Sequence, residues 1–387
     1  MSTDPLGALV PGFDPTVVTA GGAGPLAGLS VVVKDVIDVE GAVTGGGNPD
    51  WAAAHRSAPR SAPTVAALLG AGASVVGKGQ CAELAFSLSG GNDHFGMPTN
   101  PAATDRDPGG STSGPASAVA GGLSDLGLGT DTLGSIRVPA SYCGVYGFRP
   151  THGRIPVDGV MPLAQSFDTV GLLAAEPERL RRAAGVLLGE APEAAPPSRL
   201  LISPVAFAAA ESEVAEAVRT AAGGLADRLG AELSETPLLD DAPSPADAMS
   251  AFNVLQGAQV WRNYGEWVES AHPALGPDIA ARLERAAGFG PEDVAAAEPV
   301  ARAIADAIAR LAPDEALLLP TTGTPAPRRD ADADERERAR VSAGRLTSLA
   351  TLAGAPAISL PLRELGEPVG LSLVGGPGSD LSLLAAA

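Results

Sequence analysis

Two serines and two lysines stand where they could do chemistry together. Ser111 follows paired glycines in "DPGGSTSGPASAVAGG", and Ser135 follows Gly134 in "GLGTDTLGSIRVPAS". Lys34 ends the apolar run "SVVVK", Lys78 follows "SVVG", and the other cationic residues of the chain are arginines. A serine hydroxyl becomes a nucleophile when a base takes its proton, and a lysine can be that base if burial keeps it neutral. These residue types therefore suggest acyl transfer.

The residues before Ser135 could stabilise negative charge. Glycine lets the backbone turn tightly, and successive N–H groups in such a turn form a nest for an anion. Acyl transfer needs such donors at its tetrahedral intermediate. We therefore interpret Thr132, Leu133, Gly134 and Ser135 as an oxyanion loop that ends in its own nucleophile. The alternative is a glycine turn before a helix, with Ser135 as the N-cap.

The residues alone leave the base for Ser135 open. Lys34 and Lys78 both fit, and the alternative for each is a lysine that extends from a strand end into solvent. The chain has no GxSxG motif, and its four histidines show no link to Ser135, so a Ser-His-Asp triad is unsupported. These histidines are His55, His94, His152 and His272.

Composition and charge argue against several other classes. The net charge of -19 disfavours nucleic acid and anionic membranes as partners, since both need basic patches. The glycine-rich stretches match neither of the nucleotide-binding motifs GxGxxG and GxxxxGK[ST], and the acidic residues form no metal-ligand pattern. We therefore expect no cofactor and no metal. Two cysteines without a CxxC motif fit a reducing compartment. The N-terminus lacks signal-peptide features and no apolar run reaches about 18 residues, so we expect a cytoplasmic protein without a membrane span.

Alternating strand and helix patterns predict an α/β fold. Short β-branched runs predict strands at 29–34 and 74–79, with a helix at 61–73 between them. Further strands are predicted at 123–131, 168–174, 315–320, 355–362 and 370–376. Helices are predicted at 111–122 and 211–230, and 328–340 is interpreted as a solvated loop that leads into a helix. We expect a glycine-rich core from both ends of the chain, with a helical layer between them.

With these motifs in order, the chain resembles an amidase signature enzyme. The resemblance is carried by "GLSVVVKDVIDVEG", "GKGQCAELAFS", "PGGSTSGPASAVAGG" and "GLGTDTLGSIRVPASYCGVYGFRPTHG". It implies one domain over 1–387, with a central mixed β-sheet flanked by helices. Within that domain it implies a catalytic core at 25–175, a variable helical layer around the substrate pocket at 176–312, and C-terminal strands and a helix at 313–387.

The resemblance also implies a Ser-cisSer-Lys triad. Ser135 matches the nucleophile in the "TDTxGSxR" stretch, and Ser111 matches the serine that follows a cis peptide bond in this family. Lys34 matches the lysine of the "KD" motif, whereas Lys78 matches a structural position. The oxyanion loop would supply its backbone N–H groups. The family's usual glycine pair is here Leu133-Gly134, so we expect a side chain at 133 to narrow the pocket.

The implied activity is hydrolysis of a small carboxamide to a carboxylic acid and ammonia, with a rate that rises towards alkaline pH. "GNPDWAAAH", "FGMPTNP" and "AQSFDTVG" resemble the short indole-3-acetamide hydrolases, which suggests an aryl-acetamide substrate. Trp261, Tyr264 and Trp267 are candidates for a pocket wall or for one packed helix face. The alternatives are a glutaminase-type component of an amidotransferase and a catalytically silent scaffold. A homodimer is the common assembly for such enzymes.

Overall fold

The β-branched and leucine-rich runs of the sequence become strands of one large sheet. The computed structural model describes residues 4–13, 22–189, 194–362 and 366–387. Within these ranges the sheet has ten strands. They are β1 (Ser30–Lys34), β2 (Ser74–Gly79), β3 (Leu126–Asp131), β4 (Tyr146–Arg149), β5 (Thr169–Ala174), β6 (Arg199–Ile202), β7 (Glu232–Glu235), β8 (Glu315–Pro320), β9 (Ala357–Leu362) and β10 (Val369–Val374).

The sheet is mixed, in the order β2-β1-β3-β5-β4-β9-β10-β8-β6-β7. At one edge β1 pairs parallel with both β2 and β3, and at the other β6 pairs parallel with β7 and β8. The central pairs from β3 to β8 are antiparallel. The predicted single domain with a mixed sheet between helices is therefore confirmed.

Helices cover the sheet, and proline begins many of them. They are α1 (Pro49–Ala54), α2 (Pro63–Gly70), α3 (Ser113–Ala120), α4 (Arg137–Cys143), α5 (Pro177–Leu188), α6 (Pro204–Phe207), α7 (Ser212–Leu229), α8 (Pro245–Ala271), α9 (Pro277–Ala287), α10 (Pro291–Ile308), α11 (Ala333–Leu352) and α12 (Asp380–Ala385). A proline in the first turn lacks only an N–H that would be unpaired there, so this proline-rich chain still forms helices. No helix in the described ranges is long and apolar enough to cross a bilayer.

Strands β3, β5 and β10 are buried along their whole length, so the sheet forms the centre of the core. Glycine lets another segment lie close to β3. A Cβ at Gly129 would lie 2.3 Å from the Thr112 side chain, which would push away the residues just before α3. The absence of a side chain at 129 thus brings the Ser111 segment against the end of the sheet.

The predicted elements appear with ends shifted by up to three residues, and three differences matter more. The helix predicted at 111–122 begins at Ser113, so Ser111 lies outside it. β4 was not predicted. The layer at 176–312, expected to be helical, also contains β6 and β7, which extend the sheet edge. Both have only four residues, and β7 is polar and partly exposed, so neither carries the long apolar run by which a strand is recognised.

Candidate active site

Parallel pairing of β1 with β3 places Lys34 beside Thr130, because both residues lie at the C-terminal ends of these strands. Lys34 Nζ donates to Thr130 Oγ1 at 2.8 Å and to Ser111 Oγ at 2.7 Å. The lysine is fully buried. Burial lowers the pKa of Lys34 from 10.5 to about 8. Electrostatic interactions with Cys81 and Asp131 raise this pKa, but by less than burial lowers it. A lysine with this pKa is readily neutral in mildly alkaline solution.

Ser111 lies between Lys34 and the loop that carries Ser135. The Gly110–Ser111 peptide bond is cis, as the resemblance implies. The next residue, Thr112, donates its N–H to the Ser135 carbonyl at 3.3 Å. A Cβ at Gly110 would lie 2.0 Å from a backbone carbonyl oxygen, so only glycine fits there. The structure thus brings the three predicted triad residues into one buried cluster.

The predicted oxyanion loop has free donors. Within the described ranges the N–H groups of residues 132–135 make no hydrogen bond. The loop carbonyls are bonded instead: Leu133 O accepts from Arg137 at 3.1 Å, and Gly134 O accepts from Val138 N at 2.7 Å. In a trans peptide the carbonyl and the following N–H point in opposite directions. The N–H groups of residues 134 and 135 therefore point away from the bonds that hold the loop.

A buried ion cluster holds the turn from β3 into α4. Asp131 pairs with Arg137 at 2.9 Å and with Arg149 at 3.0 Å, and it accepts the N–H of Ile136 at 3.2 Å. Burial alone would raise the pKa of Asp131, but the two arginines outweigh it and hold that pKa well below its usual range. Asp131 is therefore ionised, and its partners fix the start of the loop. Sequence reasoning missed this cluster, although Asp131 and Arg137 lie in the quoted nucleophile stretch.

Two further contacts position the loop. Thr132 Oγ1 donates to Asp168 Oδ1 at 2.7 Å, and Asp168 also accepts backbone N–H groups from residues 163 and 164. A Cβ at Gly134 would lie 3.0 Å from the Thr347 side chain on α11, so a larger residue would displace the loop. The N-cap of α4 is Ile136, and the interpretation of Ser135 as a helix cap is therefore wrong.

The second lysine lies in a different contact network. Lys78 Nζ donates to the Ile37 carbonyl at 2.7 Å and to Thr44 Oγ1 at 3.3 Å, and it pairs with Asp35 at 3.3 Å. Both lysines are buried, so neither extends into solvent as the alternative interpretation had it. Of the two, Lys34 is the one in contact with a candidate triad serine.

Ser135 borders a narrow crevice of about 30 Å³, which opens beside a larger cavity of about 660 Å³. The larger cavity does not reach Ser135, but both spaces share Ser87, Leu88, Arg282 and Arg340 in their walls. Leu133 lines the crevice, where a glycine would leave more room. The crevice is therefore the inner end of a continuous site, and the cavity is its wider outer part.

The aromatic residues on α8 do not form a wall of this site. Trp261, Tyr264 and Trp267 line neither the crevice nor the larger cavity. Tyr264 and Trp267 instead contact the Trp51 ring edge-on, with centroids 5.6 and 5.1 Å apart, and the Tyr264 hydroxyl donates to the Pro162 carbonyl. The pocket-wall interpretation is therefore wrong for both spaces of the site, and Tyr264 and Trp267 lie on a packed face.

No Ser-His-Asp triad forms at Ser135. The four histidines line neither space of the site. For example, His94 Nε2 lies 3.1 Å from Glu83 Oε1, and His152 Nε2 lies 3.0 Å from the Gln165 carbonyl. The described ranges contain no cluster of three or more His, Cys, Asp or Glu side chains that could hold a metal ion.

Similarity to known proteins agrees with this geometry. A family model described as amidase matches residues 17–384. The chain is 39% identical to Amidase 1 of Arabidopsis thaliana, over 93% of this chain and 91% of that protein. It is also 32% identical to one component of the glutamyl-tRNA(Gln) amidotransferase of Deinococcus radiodurans, over 95% of this chain and 84% of that protein.

Among solved structures, an amidase crystal structure superposes with a TM-score of 0.80 at 30% identity, and the match covers 94% of this chain and 83% of that one. The chain belongs to the amidase family and is an amide hydrolase.

Proposed function

We propose that the protein hydrolyses a small carboxamide to a carboxylic acid and ammonia through an acyl-enzyme on Ser135. The observation that carries the proposal is the contact of 2.7 Å between the fully buried Lys34 Nζ and Ser111 Oγ. This contact joins Lys34, whose pKa is lowered, to Ser111. The residue after Ser111, Thr112, donates its N–H to the carbonyl of Ser135. A relay of this kind supplies the base that a serine nucleophile needs.

In the reactive state Lys34 is neutral and accepts the proton of Ser111, while Ser111 accepts that of Ser135. Ser135 Oγ then forms a bond to the amide carbon. The free N–H groups of residues 132–135 stabilise the oxyanion. When the C–N bond breaks, the relay returns the proton to the departing nitrogen, which leaves as ammonia. Water then attacks the acyl-enzyme by the same route and releases the acid and free Ser135.

An aryl-acetamide remains a candidate substrate on the basis of the sequence resemblance. The site offers apolar walls for an acyl group, since Phe86, Leu88, Leu133 and Leu163 line the crevice. These side chains favour an uncharged carbon skeleton next to the scissile amide. A panel of indole-3-acetamide, phenylacetamide, glutamine and short aliphatic amides would rank the acyl groups by kcat/KM.

The decisive experiment measures ammonia release from this panel by wild type, Ser135→Ala, Ser111→Ala and Lys34→Ala. We expect Ser135→Ala and Lys34→Ala to lose at least about a thousandfold in kcat. Added hydroxylamine should divert wild-type product to the hydroxamic acid, because an acyl-enzyme can be captured by a second nucleophile. Activity retained in Ser135→Ala would refute the nucleophile, and the absence of hydroxamate would refute the covalent intermediate.

A glutaminase-type component of an amidotransferase is a second candidate, supported by the similarity to the Deinococcus radiodurans protein. It requires glutamine to be the preferred amide and partner proteins to use the ammonia. The free-standing hydrolase is favoured by the higher identity to Amidase 1. Ammonia release that is faster from glutamine than from any other amide in the panel would favour the amidotransferase role.

For assembly and location we propose a cytoplasmic homodimer. Support for a reducing compartment comes from Cys81 and Cys143, which are both buried free thiols. Support for a dimer is the prevalence of two-fold assemblies among enzymes. Light scattering in solution would test the dimer, since a mass of one 38.4 kDa chain would contradict it. Cell fractionation would test the location.

A further inference from the structure

Two arginines from different helices stand where the crevice meets the larger cavity. Arg282 lies on α9, Arg340 lies on α11, and both line both spaces. Their side chains are only 16% and 15% exposed. In the sequence Arg340 closes the segment expected to be a solvated loop that leads into a helix. The structure instead turns both guanidinium groups towards the space beside Ser135.

Each guanidinium is held from one side and retains free donors on the other. Arg282 Nε donates to Asp278 Oδ2 at 3.0 Å, and Arg340 Nε donates to Glu337 Oε2 at 2.7 Å. Both acids line the larger cavity, but neither lines the crevice. Within the described part of the chain, the two Nη groups of Arg282 and the Nη1 group of Arg340 make no hydrogen bond. The donors next to the crevice are therefore available to a ligand.

Charge is distributed unevenly along the site. The crevice wall contains these two arginines and no acidic side chain. The acids of the site line the larger cavity: Glu83, Asp93, Asp107, Asp278 and Glu337. Burial lowers the pKa of Arg282, and the negative charge of Asp278 raises it in part. The positive charge of Arg340 lowers the same pKa, which shows that the two guanidinium groups repel each other. An anion bound between them would relieve that repulsion.

Two amide side chains at the crevice also lack partners. Asn253 and Gln256 on α8 line the crevice and make no hydrogen bond within the described ranges. Gln256 is only 8% exposed. The amide atoms of both residues remain accessible, since none is among the buried polar atoms that lack a partner. The two amides can therefore hydrogen-bond a polar group of a ligand in the crevice.

We propose that Arg282 and Arg340 bind a carboxylate on the acyl part of the substrate. This inference rests on the hydrolase function proposed above and specifies its substrate class. A guanidinium presents its N–H groups as a planar fork that matches a carboxylate. Arg282, Arg340 and Ser135 line the same small crevice, so only a few carbons separate the carboxylate from the scissile amide. The substrate class is thus the monoamide of a short dicarboxylic acid, in preference to a neutral aryl-acetamide.

A binding experiment tests this without relying on turnover. Succinamate and its uncharged isostere 4-oxopentanamide are titrated by calorimetry into the Ser135→Ala protein, which cannot form an acyl-enzyme. We expect succinamate to bind at least about tenfold more tightly, because charge-assisted hydrogen bonds to arginine exceed neutral ones. Adding Arg282→Gln or Arg340→Gln should weaken succinamate binding about tenfold and leave the isostere within about twofold.

Matched controls come from the same two helices. Arg285 on α9 and Arg338 on α11 are exposed and line neither space. Arg285→Gln and Arg338→Gln remove the same charge and should leave both ligands unaffected. Three results would overturn the inference: equal affinity for the two ligands, equal weakening of both ligands in the arginine variants, or no measurable binding of succinamate. Arg340→Lys, which keeps the charge but not the fork, should retain part of the preference.

The result separates this inference from the proposed hydrolase function. If succinamate shows no preference while wild type still releases ammonia from neutral amides through Ser135, the carboxylate subsite is wrong and the hydrolase stands. If the binding preference follows the two arginines but no amide is hydrolysed through Ser135, the subsite stands and the hydrolase is wrong. If both hold, wild-type kcat/KM should be higher for succinamate than for 4-oxopentanamide or phenylacetamide.

Discussion

Replacing Lys34 by methionine should abolish activity and make the change in fold stability depend on pH. Lys34 is fully buried, and its Nζ contacts the hydroxyls of Ser111 and Thr130 rather than a carboxylate. Its pKa falls from 10.5 to about 8, mainly because burial disfavours the charged amine. At about 1.4 kcal/mol per pKa unit, holding the protonated lysine in the native state costs about 3 kcal/mol.

The pH dependence follows from the direction of this shift. Above pH 10.5 the lysine is neutral in both states and the cost is absent. As the pH falls from 10.5 to about 8, the unfolded chain binds the proton first and stability is lost; below about 8 the cost is constant. Methionine removes this cost but leaves the buried hydroxyls of Ser111 and Thr130 without their donor, which costs about 1–3 kcal/mol each at any pH. Relative to wild type, the variant should therefore be about 2 kcal/mol more stable at pH 7 than it is at pH 10.

Urea unfolding at pH 7 and pH 10, followed by tryptophan fluorescence, measures this difference. Lys78→Met is the matched control, because it removes the other buried lysine but leaves Asp35 without its partner at 3.3 Å. That variant should lose about 3–5 kcal/mol at pH 7. If the stability of Lys34→Met relative to wild type is the same at both pH values, the protonated lysine is not held at a cost, and the reasoning is refuted.

Three further predictions concern the relay, the loop and its support. Activity should rise with pH through about 8 as Lys34 loses its proton. Thr130→Val should move this rise to lower pH, because the variant loses a hydrogen bond that favours the charged amine. A pH profile that does not shift in Thr130→Val would contradict this role of Thr130. Gly134→Ala should lower kcat by about tenfold or more, with a smaller effect on KM. The new Cβ would lie against the Thr347 side chain of α11 and displace the proposed oxyanion donors. Steady-state kinetics would measure both parameters. Asp131→Asn should lower the free energy of unfolding by about 3–5 kcal/mol, because two buried guanidinium groups lose their counterion. Asp125→Asn, at a partly exposed ion pair, should lower it by less than about 1 kcal/mol. Equal losses in the two variants would argue against the importance of the buried cluster.

The strands and the nucleophile loop were largely predictable because their signals are local. The run at 315–320 became β8 with the predicted bounds, since a short apolar run between polar residues is a reliable strand signal. The four-residue strands β6 and β7 were missed because a segment that short takes its conformation from its neighbours in the sheet. β7, for example, is held by parallel pairing to β6. Its own residues, "ELSE", show no apolar alternation.

The substrate side of the site was not predictable. Tyr264 and Trp267 on α8 were candidates for a pocket wall but pack against Trp51. The arginines that line the crevice lie in stretches typical of exposed helices. An amphipathic pattern reports which face of a helix is polar. It does not report whether that face meets solvent or a cavity, because this depends on the elements packed around it. The positions of Arg282 and Arg340 follow from the packing of α9 and α11 around the site.

The sequence by itself determined which residues could act and how the backbone turns around them. Gly134 and Ser135 lie in one continuous stretch, so the loop follows from local chain geometry. Only the tertiary structure decided which lysine contacts Ser111, because Lys34 meets Ser111 and Thr130 across 77 and 96 positions of chain. It also set the lysine's pKa, since desolvation depends on everything packed around the amine. A side chain's identity is local, but its burial and charge state belong to the whole fold.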